Sequence, residues 1–364
     1  MKKFFIAISV LMLGIACSSD SDGGEGSEEV IFERSPILIS WADDFVIPQF
    51  QAFLTDTEAL VEAKNVFTED PNEANLISLR ESLTTAYFSF QPVGAYADLG
   101  RGEELNYYLN LNAHALSVDE VLENIQNFET VNLASVFNQD AQGLPAVDYL
   151  VNGLGTTDAE IVAFYTGTES DNYIGYLNLV VDRIESLTQE VLDDWTTSFR
   201  DEFVANTSSS SSGSFDVFIN RYIEFLERRL RSSKVGIPAG VFSNTTFPDE
   251  IESLYNPTLS RALLIEALDN VENIYTGLET STVSLSSLLS NLENEQLNTQ
   301  IITEFSVART QIETLNENLR QQVLTENIEM LRTRDELQAI VTSLKVDLTS
   351  ILGVDIIFAD NDGD

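Results

Sequence analysis

Residues 173–203 read YIGYLNLVVDRIESLTQEVLDDWTTSFRDEF, and this stretch decides the fold class. Leu177, Val180, Ile184, Leu187, Val191, Trp195, Phe199 and Phe203 recur every three or four residues, the spacing that lines one face of a helix. The stretch therefore predicts a long amphipathic helix. No segment of the chain alternates with period two in a hairpin arrangement, and no repeat of 20–50 residues is visible. The chain reads as all-α.

Upstream, the helical pattern begins at Pro36. It carries Trp41 and Phe45 one turn apart, then Phe50, Phe53, Leu54, Leu60 and Val61, with Pro48 expected to kink or split the element. Asp70-Pro71, with Glu73 behind, announces a second helix through Leu76, Leu79, Leu83, Tyr87 and Phe90, closed by Pro92 and the glycines after it. Ser117-Val118-Asp119-Glu120 and Thr157-Asp158-Ala159-Glu160 have the form of capping boxes opening two short helices. Downstream, the serine run 206–214 is a loop, 215–231 a helix with Arg228, Arg229 and Arg231 at its end, and Lys234 to Gly240 a turn-rich connector. Further helices are expected at 263–274, near 281–292, and as a pair at 297–321 and 326–350, with a short extended tail at 352–358.

The chain has 364 residues, 59 acidic and 19 basic, with 43% hydrophobic residues. That length supports two cores. The charge of −40 excludes nucleic acid as a partner, because phosphate binding needs clustered Lys and Arg. Lys2 and Lys3 precede an apolar run from Phe4 to Ala16, too short to span a bilayer and typical of an export signal. It ends Gly14-Ile15-Ala16-Cys17, and Cys17 is the only cysteine, so no internal disulfide forms. The position is similar to a bacterial lipobox, which makes Cys17 the lipidation site and the membrane a partner through that anchor. Ser18 to Glu29 lacks any apolar residue and reads as a solvated tether.

The octapeptide Gly143-Leu144-Pro145-Ala146-Val147-Asp148-Tyr149-Leu150 lies between the two capping boxes. Together with the ending Leu352 to Asp364, the connector Lys234-Val235-Gly236-Ile237-Pro238-Ala239-Gly240 and the segment Glu252-Ser253-Leu254-Tyr255, it resembles the imelysin-like proteins of the peptidase M75 family, in the form of a Bacteroidota-type lipoprotein. Family members with a metal site carry Gly-x-His-x-x-Glu here; in this chain Pro145 stands at the His position and Asp148 at the Glu position. The resemblance implies an all-α fold of two helical-bundle domains with a cleft between them near the octapeptide. The expected division is a signal peptide at 1–16, a flexible acidic tether at 17–34, an N-terminal bundle at 35–170 and a C-terminal bundle at 171–364. It also implies a cell-envelope lipoprotein of the outer membrane, on its periplasmic or surface face, with a part in iron uptake beside an outer-membrane uptake partner.

The chemistry is less well supplied than the scaffold. A His and a Glu at i and i+3 grip one metal from one helix face, but the ring of Pro145 offers no lone pair. Asp148 then has two readings: a carboxylate complementing the helix start, with Pro145 at the first helical position, and a ligand facing the cleft. His114 is the only histidine and reads as a surface or locally satisfied loop residue. No Gly-x-Ser-x-Gly elbow, P-loop or dinucleotide fingerprint is present. The tail Asp360 to Asp364 lacks the distant Glu of a calcium loop. The expected function is non-catalytic binding of a ligand in the cleft, with Gly143, Pro145, Asp148, Lys234, Glu252 and Tyr255 as lining candidates and Asp148 as the one weak metal candidate. Iron or another hard cation is the ligand class that acidic oxygens suit. The alternatives are a metallopeptidase of the imelysin type and a partner-binding envelope protein without a small ligand.

Overall fold

The periodicity of 173–203 appears as a continuous helical run from Ser170 to Ala205, in which Trp195–Phe199 forms a wider, π-type turn. Leu177, Val180, Ile184, Leu187 and Val191 are all buried, each contributing roughly 1.5–3 kcal/mol on leaving water. The computed structural model describes residues 32–358 except Thr280 and Thr282. The export signal, Cys17, the tether up to residue 31 and the acidic ending 359–364 lie outside the described residues.

The helices that build the body and the site are α1 (Ile47–Glu69), α2 (Glu73–Val93), α3 (Tyr107–Asn112), α4 (Val118–Gln126), α5 (Gly143–Asp148), α6 (Asp158–Thr166), α7 (Ser170–Asp194), α8 (Ser214–Glu224), α9 (Ser260–Thr276), α10 (Glu295–Glu313) and α11 (Leu319–Thr342). Among the described residues there is no strand, so the protein is all-α. Helix α1 packs between α2 and α7; α9 packs on α2 and on α10, and α10 on α11. Ser170, close to where the sequence places a domain boundary, starts α7, which packs directly on α1. The chain from Phe32 onwards forms one compact unit, and Trp41 near its beginning stacks on Phe218 of α8 with ring centroids 4.0 Å apart. No helix among the described residues is long and apolar enough to cross a membrane.

Several expected details shift, each for a local reason. Pro48 does not split its element: it sits at the first turn of α1, just after the π-type turn Trp41–Val46, where a missing N–H is harmless. The cap of α2 is Asn72, whose side chain accepts from Asn75 N–H at 3.0 Å, two residues beyond Asp70. Ser117 caps α4 by position but makes no side-chain bond, whereas the Thr157 and Glu160 box forms in full. Lys234 and Gly236 belong to the π-type extension of α8, Phe225–Gly236, so the connector begins after them. The paired C-terminal helices break at 314–318, and the expected gap near 322–325 is instead a kink at Glu326 within α11. Phe32 and Arg34, expected in the tether, are packed: Phe32 meets the Phe215 ring at 5.1 Å and Arg34 pairs with Asp216 at 3.0 Å. The extended tail is held as expected, with Asn220 accepting from Ile357 N–H and donating to the Asp355 carbonyl, both at 2.9 Å.

Candidate functional site

Helix α5 lies in the interior, with every residue from Gly143 to Asp148 buried. Its entry depends on Gly143, whose φ of +73° is in the region that favours glycine and where a Cβ would fall 2.3 Å from the Leu111 carbonyl oxygen. Pro145 is the third residue of the helix rather than the first, and Asp148 the last before a π-type turn at Tyr149–Gly153. The helix-start role expected for Asp148 is therefore not the one it plays. One oxygen accepts from the Asn152 amide at 2.9 Å and the other from Tyr255 N–H at 2.9 Å. Burial pushes its carboxyl up to about 6, against the pull of these donors and of Arg80.

Glu252 and Lys234 form the second part. They are 3% and 2% exposed, and they meet as a buried ion pair. Glu252 also accepts from the Asn112 amide at 2.6 Å and the Gln91 amide at 3.0 Å, while Lys234 donates to the Gln91 carbonyl oxygen at 2.8 Å. Burial alone would raise the Glu252 carboxyl, but Lys234 and the other donors hold it below its ordinary value. At Lys234 burial outweighs the attraction of Glu252 and lowers the ammonium. The carboxylate is the ionised partner we stand on, since several donors converge on it.

His114 corrects the expectation. Rather than a surface or satisfied loop residue, it is half-buried as a whole, with both ring nitrogens sealed from solvent and without a hydrogen-bond partner. Burial lowers its pKa to about 4, with Glu252 opposing and Lys234 and Arg229 adding to the fall, so the ring is neutral near pH 7. The Tyr87 hydroxyl is likewise buried without a partner, and it lies close enough to Asp148 and Glu252 to feel both charges.

Of the six residues expected to line a cleft, Pro145, Asp148 and Tyr255 border one small cavity, together with His114, Ile251 and Leu254. Lys234 and Glu252 lie in the buried network beside it, and Gly143 serves the backbone. The cavity holds about 10 Å³, room for about one water molecule. Sequence reasoning missed Gln91, Asn112 and Tyr87 and set His114 aside. Gln91 alone left a signal: a polar residue one turn beyond Tyr87 on an otherwise apolar stripe. A metal of the Gly-x-His-x-x-Glu kind does not fit these donors. Pro145 has no lone pair, each Asp148 oxygen already holds an N–H, and among the described residues no group of three or more His, Cys, Asp or Glu is placed to hold an ion.

The imelysin family profile, Peptidase_M75, matches residues 46–351. Among solved structures, the chain is similar to a protein named as an iron-regulated protein A precursor from Parabacteroides distasonis ATCC 8503, with a TM-score of 0.71 and 18% identity over 87% of this chain and 94% of that one. It is also similar to an imelysin-like protein from Psychrobacter arcticum 273-4, with a TM-score of 0.69 and 14% identity over 90% of this chain and 98% of that one. At such identities the likeness is one of fold. No curated protein sequence matches. With the family profile running from the start of α1 to the end of the C-terminal helices, this chain belongs to the imelysin, or peptidase M75, family.

Proposed function

We propose that this protein is a non-catalytic lipoprotein of the cell envelope, anchored through Cys17, that binds a ligand at the buried polar layer beside α5 and serves in iron uptake. One observation carries the binding reading: His114 and Tyr87 both keep buried polar atoms without partners around the Lys234 and Glu252 pair. An unpaired buried polar group costs about 1–3 kcal/mol, and native proteins keep few of them, so such a cluster calls for a partner from outside the chain. Family membership and the name of the Parabacteroides neighbour fit an iron-related role. Because the donor set does not suit a bare ion, the iron would arrive with ligands of its own, as haem or a ferric chelate. A ligand larger than water must displace part of the lining of the small cavity.

The test is a thermal-shift titration of the mature protein with ferric salts, haem and ferric siderophores, beside H114L and K234M. Binding to the polar layer predicts that at least one chelated iron species raises the melting temperature of the wild type and that H114L removes the shift. No response to any iron species would remove the iron role. Chelator-sensitive cleavage of casein would overturn the non-catalytic reading in favour of a metallopeptidase.

A further inference from the structure

We propose that a separate cavity beside Arg229 is a binding site for a small zwitterion of the α-amino-acid kind, its carboxylate held by Arg229 and its ammonium by Asp98. The cavity has a volume of about 220 Å³ and shares no lining residue with the one at Asp148, so the inference does not depend on the iron reading. It lies between the turn after α2, the segment leading into α3, and helix α8 with its extension, and is lined by Gly94, Asp98, Tyr108, Arg221, Glu224 and Arg229 among others.

Most of its charges are already matched. Arg221 pairs with Glu103 and, at 2.9 Å, with Glu224, which also takes Arg228 at 2.7 Å. Two charges are left over. The Arg229 guanidinium lies 4.6 Å from the centroid of the Tyr108 ring, which holds its plane in place. It makes neither a hydrogen bond nor an ion pair with any described residue. Every other arginine of the chain makes at least one. In a chain with 59 acids to 19 bases, an arginine without an acid is conspicuous, since neutralising partners are abundant.

The Asp98 carboxylate faces the same space. One oxygen accepts from Tyr108 N–H at 3.2 Å and the other has no donor among the described residues. Burial raises this carboxyl, with the Tyr108 N–H, Arg229 and Arg221 pulling it back. A lone anion would satisfy Arg229 and repel Asp98; a lone cation would do the reverse. A molecule carrying both signs on neighbouring atoms satisfies both, and the planar fork of Arg229 suits a carboxylate with two parallel bonds. The volume is below the roughly 300–1,000 Å³ of drug-sized pockets, which fits a free amino acid. The aromatic floor needs Gly94, where a Cβ would come within 2.6 Å of the Phe225 ring and 3.3 Å of the Tyr108 ring.

Isothermal titration of the mature full chain with each of the common L-amino acids, at up to about 10 mM, tests this. The best binder is then compared with its decarboxylated amine and its deaminated acid. Saturable binding of at least one amino acid is expected, with the amine and the acid each at least about tenfold weaker. R229Q and D98N should each weaken binding at least about tenfold, while V136A, at an exposed position outside the cavity lining, leaves it unchanged; circular dichroism and unliganded melting confirm that each variant is folded. The proposal is overturned if no amino acid binds, if the amine or the acid alone binds as well as the amino acid, or if both R229Q and D98N bind like the wild type. Should a variant fail to fold, the comparison of amino acid, amine and acid still decides it.

Discussion

His114 and Asp148 border one cavity and have proton affinities displaced in opposite senses, which makes a stability prediction. The His114 ring is lowered from 6.5 to about 4, chiefly by burial. Between those values the unfolded chain binds a proton that the folded protein does not, so stability falls as pH falls. The Asp148 carboxyl is raised from 3.8 to about 6, again chiefly by burial. Between those values the folded protein binds the extra proton, so stability rises as pH falls. Each tenfold difference in proton affinity is worth about 1.4 kcal/mol, so each effect integrates to about 3 kcal/mol, and between about pH 4 and 6 they nearly cancel. In H114L only the Asp148 effect remains. Urea unfolding of wild type and H114L, followed by tryptophan fluorescence across about pH 4 to 7, should show the variant gaining about 3 kcal/mol relative to wild type as the solution is acidified. The other carboxylates are common to both proteins and, apart from Glu252, which His114 itself helps to hold down, cancel in the difference. A difference in stability that stays constant within about 1 kcal/mol over this range would refute the burial of the imidazole nitrogens.

The buried pair makes a second prediction: K234M or E252Q alone should lose about 3–5 kcal/mol by leaving an uncompensated buried charge, and K234M/E252L should recover part of it. Equal losses in the single and double variants, measured by urea unfolding, would count against a coupled pair. G143A should lose at least about 2 kcal/mol, since its Cβ would meet the Leu111 carbonyl oxygen in a left-handed backbone; a melting temperature like that of wild type would show that α5 enters differently. Dialysis against EDTA should leave the melting temperature unchanged within about 1 °C, and a larger fall would reveal a structural metal.

The helical body was legible because burial imposes a period that single residues report. Leu177, Val180 and Ile184 in α7, and Leu76, Leu79 and Leu83 in α2, each declare their own face. Termini were less legible, because Asn72 and Asp70 are both good caps and only the backbone path chooses between them. The octapeptide stood out in the sequence, and the structure gives its glycine a close backbone approach and its acid a buried donor pair. The rest of the layer was hidden for a physical reason. Glu252 meets Gln91 across 161 positions and Asn112 across 140, and Asp148 meets Tyr255 across 107. No local rule of capping or periodicity reaches over such separations. His114 was set aside because its neighbours in sequence are ordinary, while its neighbours in space are a proline ring and two carboxylates.

The two replacements in the signature stretch are coherent with each other. At the position of the motif's histidine, Pro145 supplies an apolar ring that helps close the cavity to the size of a single water. At the position of its glutamate, the shorter Asp148 turns both oxygens to nearby donors, one of them the Tyr255 backbone N–H. The acid has thereby become a strut between α5 and the segment that follows Ile251. It also places Tyr255 edge-on to Tyr149, with ring centroids 5.0 Å apart. A strut of this kind gives the acid a structural role that needs no metal ion. It does not explain the Lys234 and Glu252 pair, because buried ion pairs are often no more stabilising than apolar packing of the same volume. Stability alone therefore does not account for the pair, and the partnerless polar atoms of His114 and Tyr87 beside it are what support the proposed binding role. The same reasoning applies to Arg229, which stands without an acid in a protein that has acids to spare.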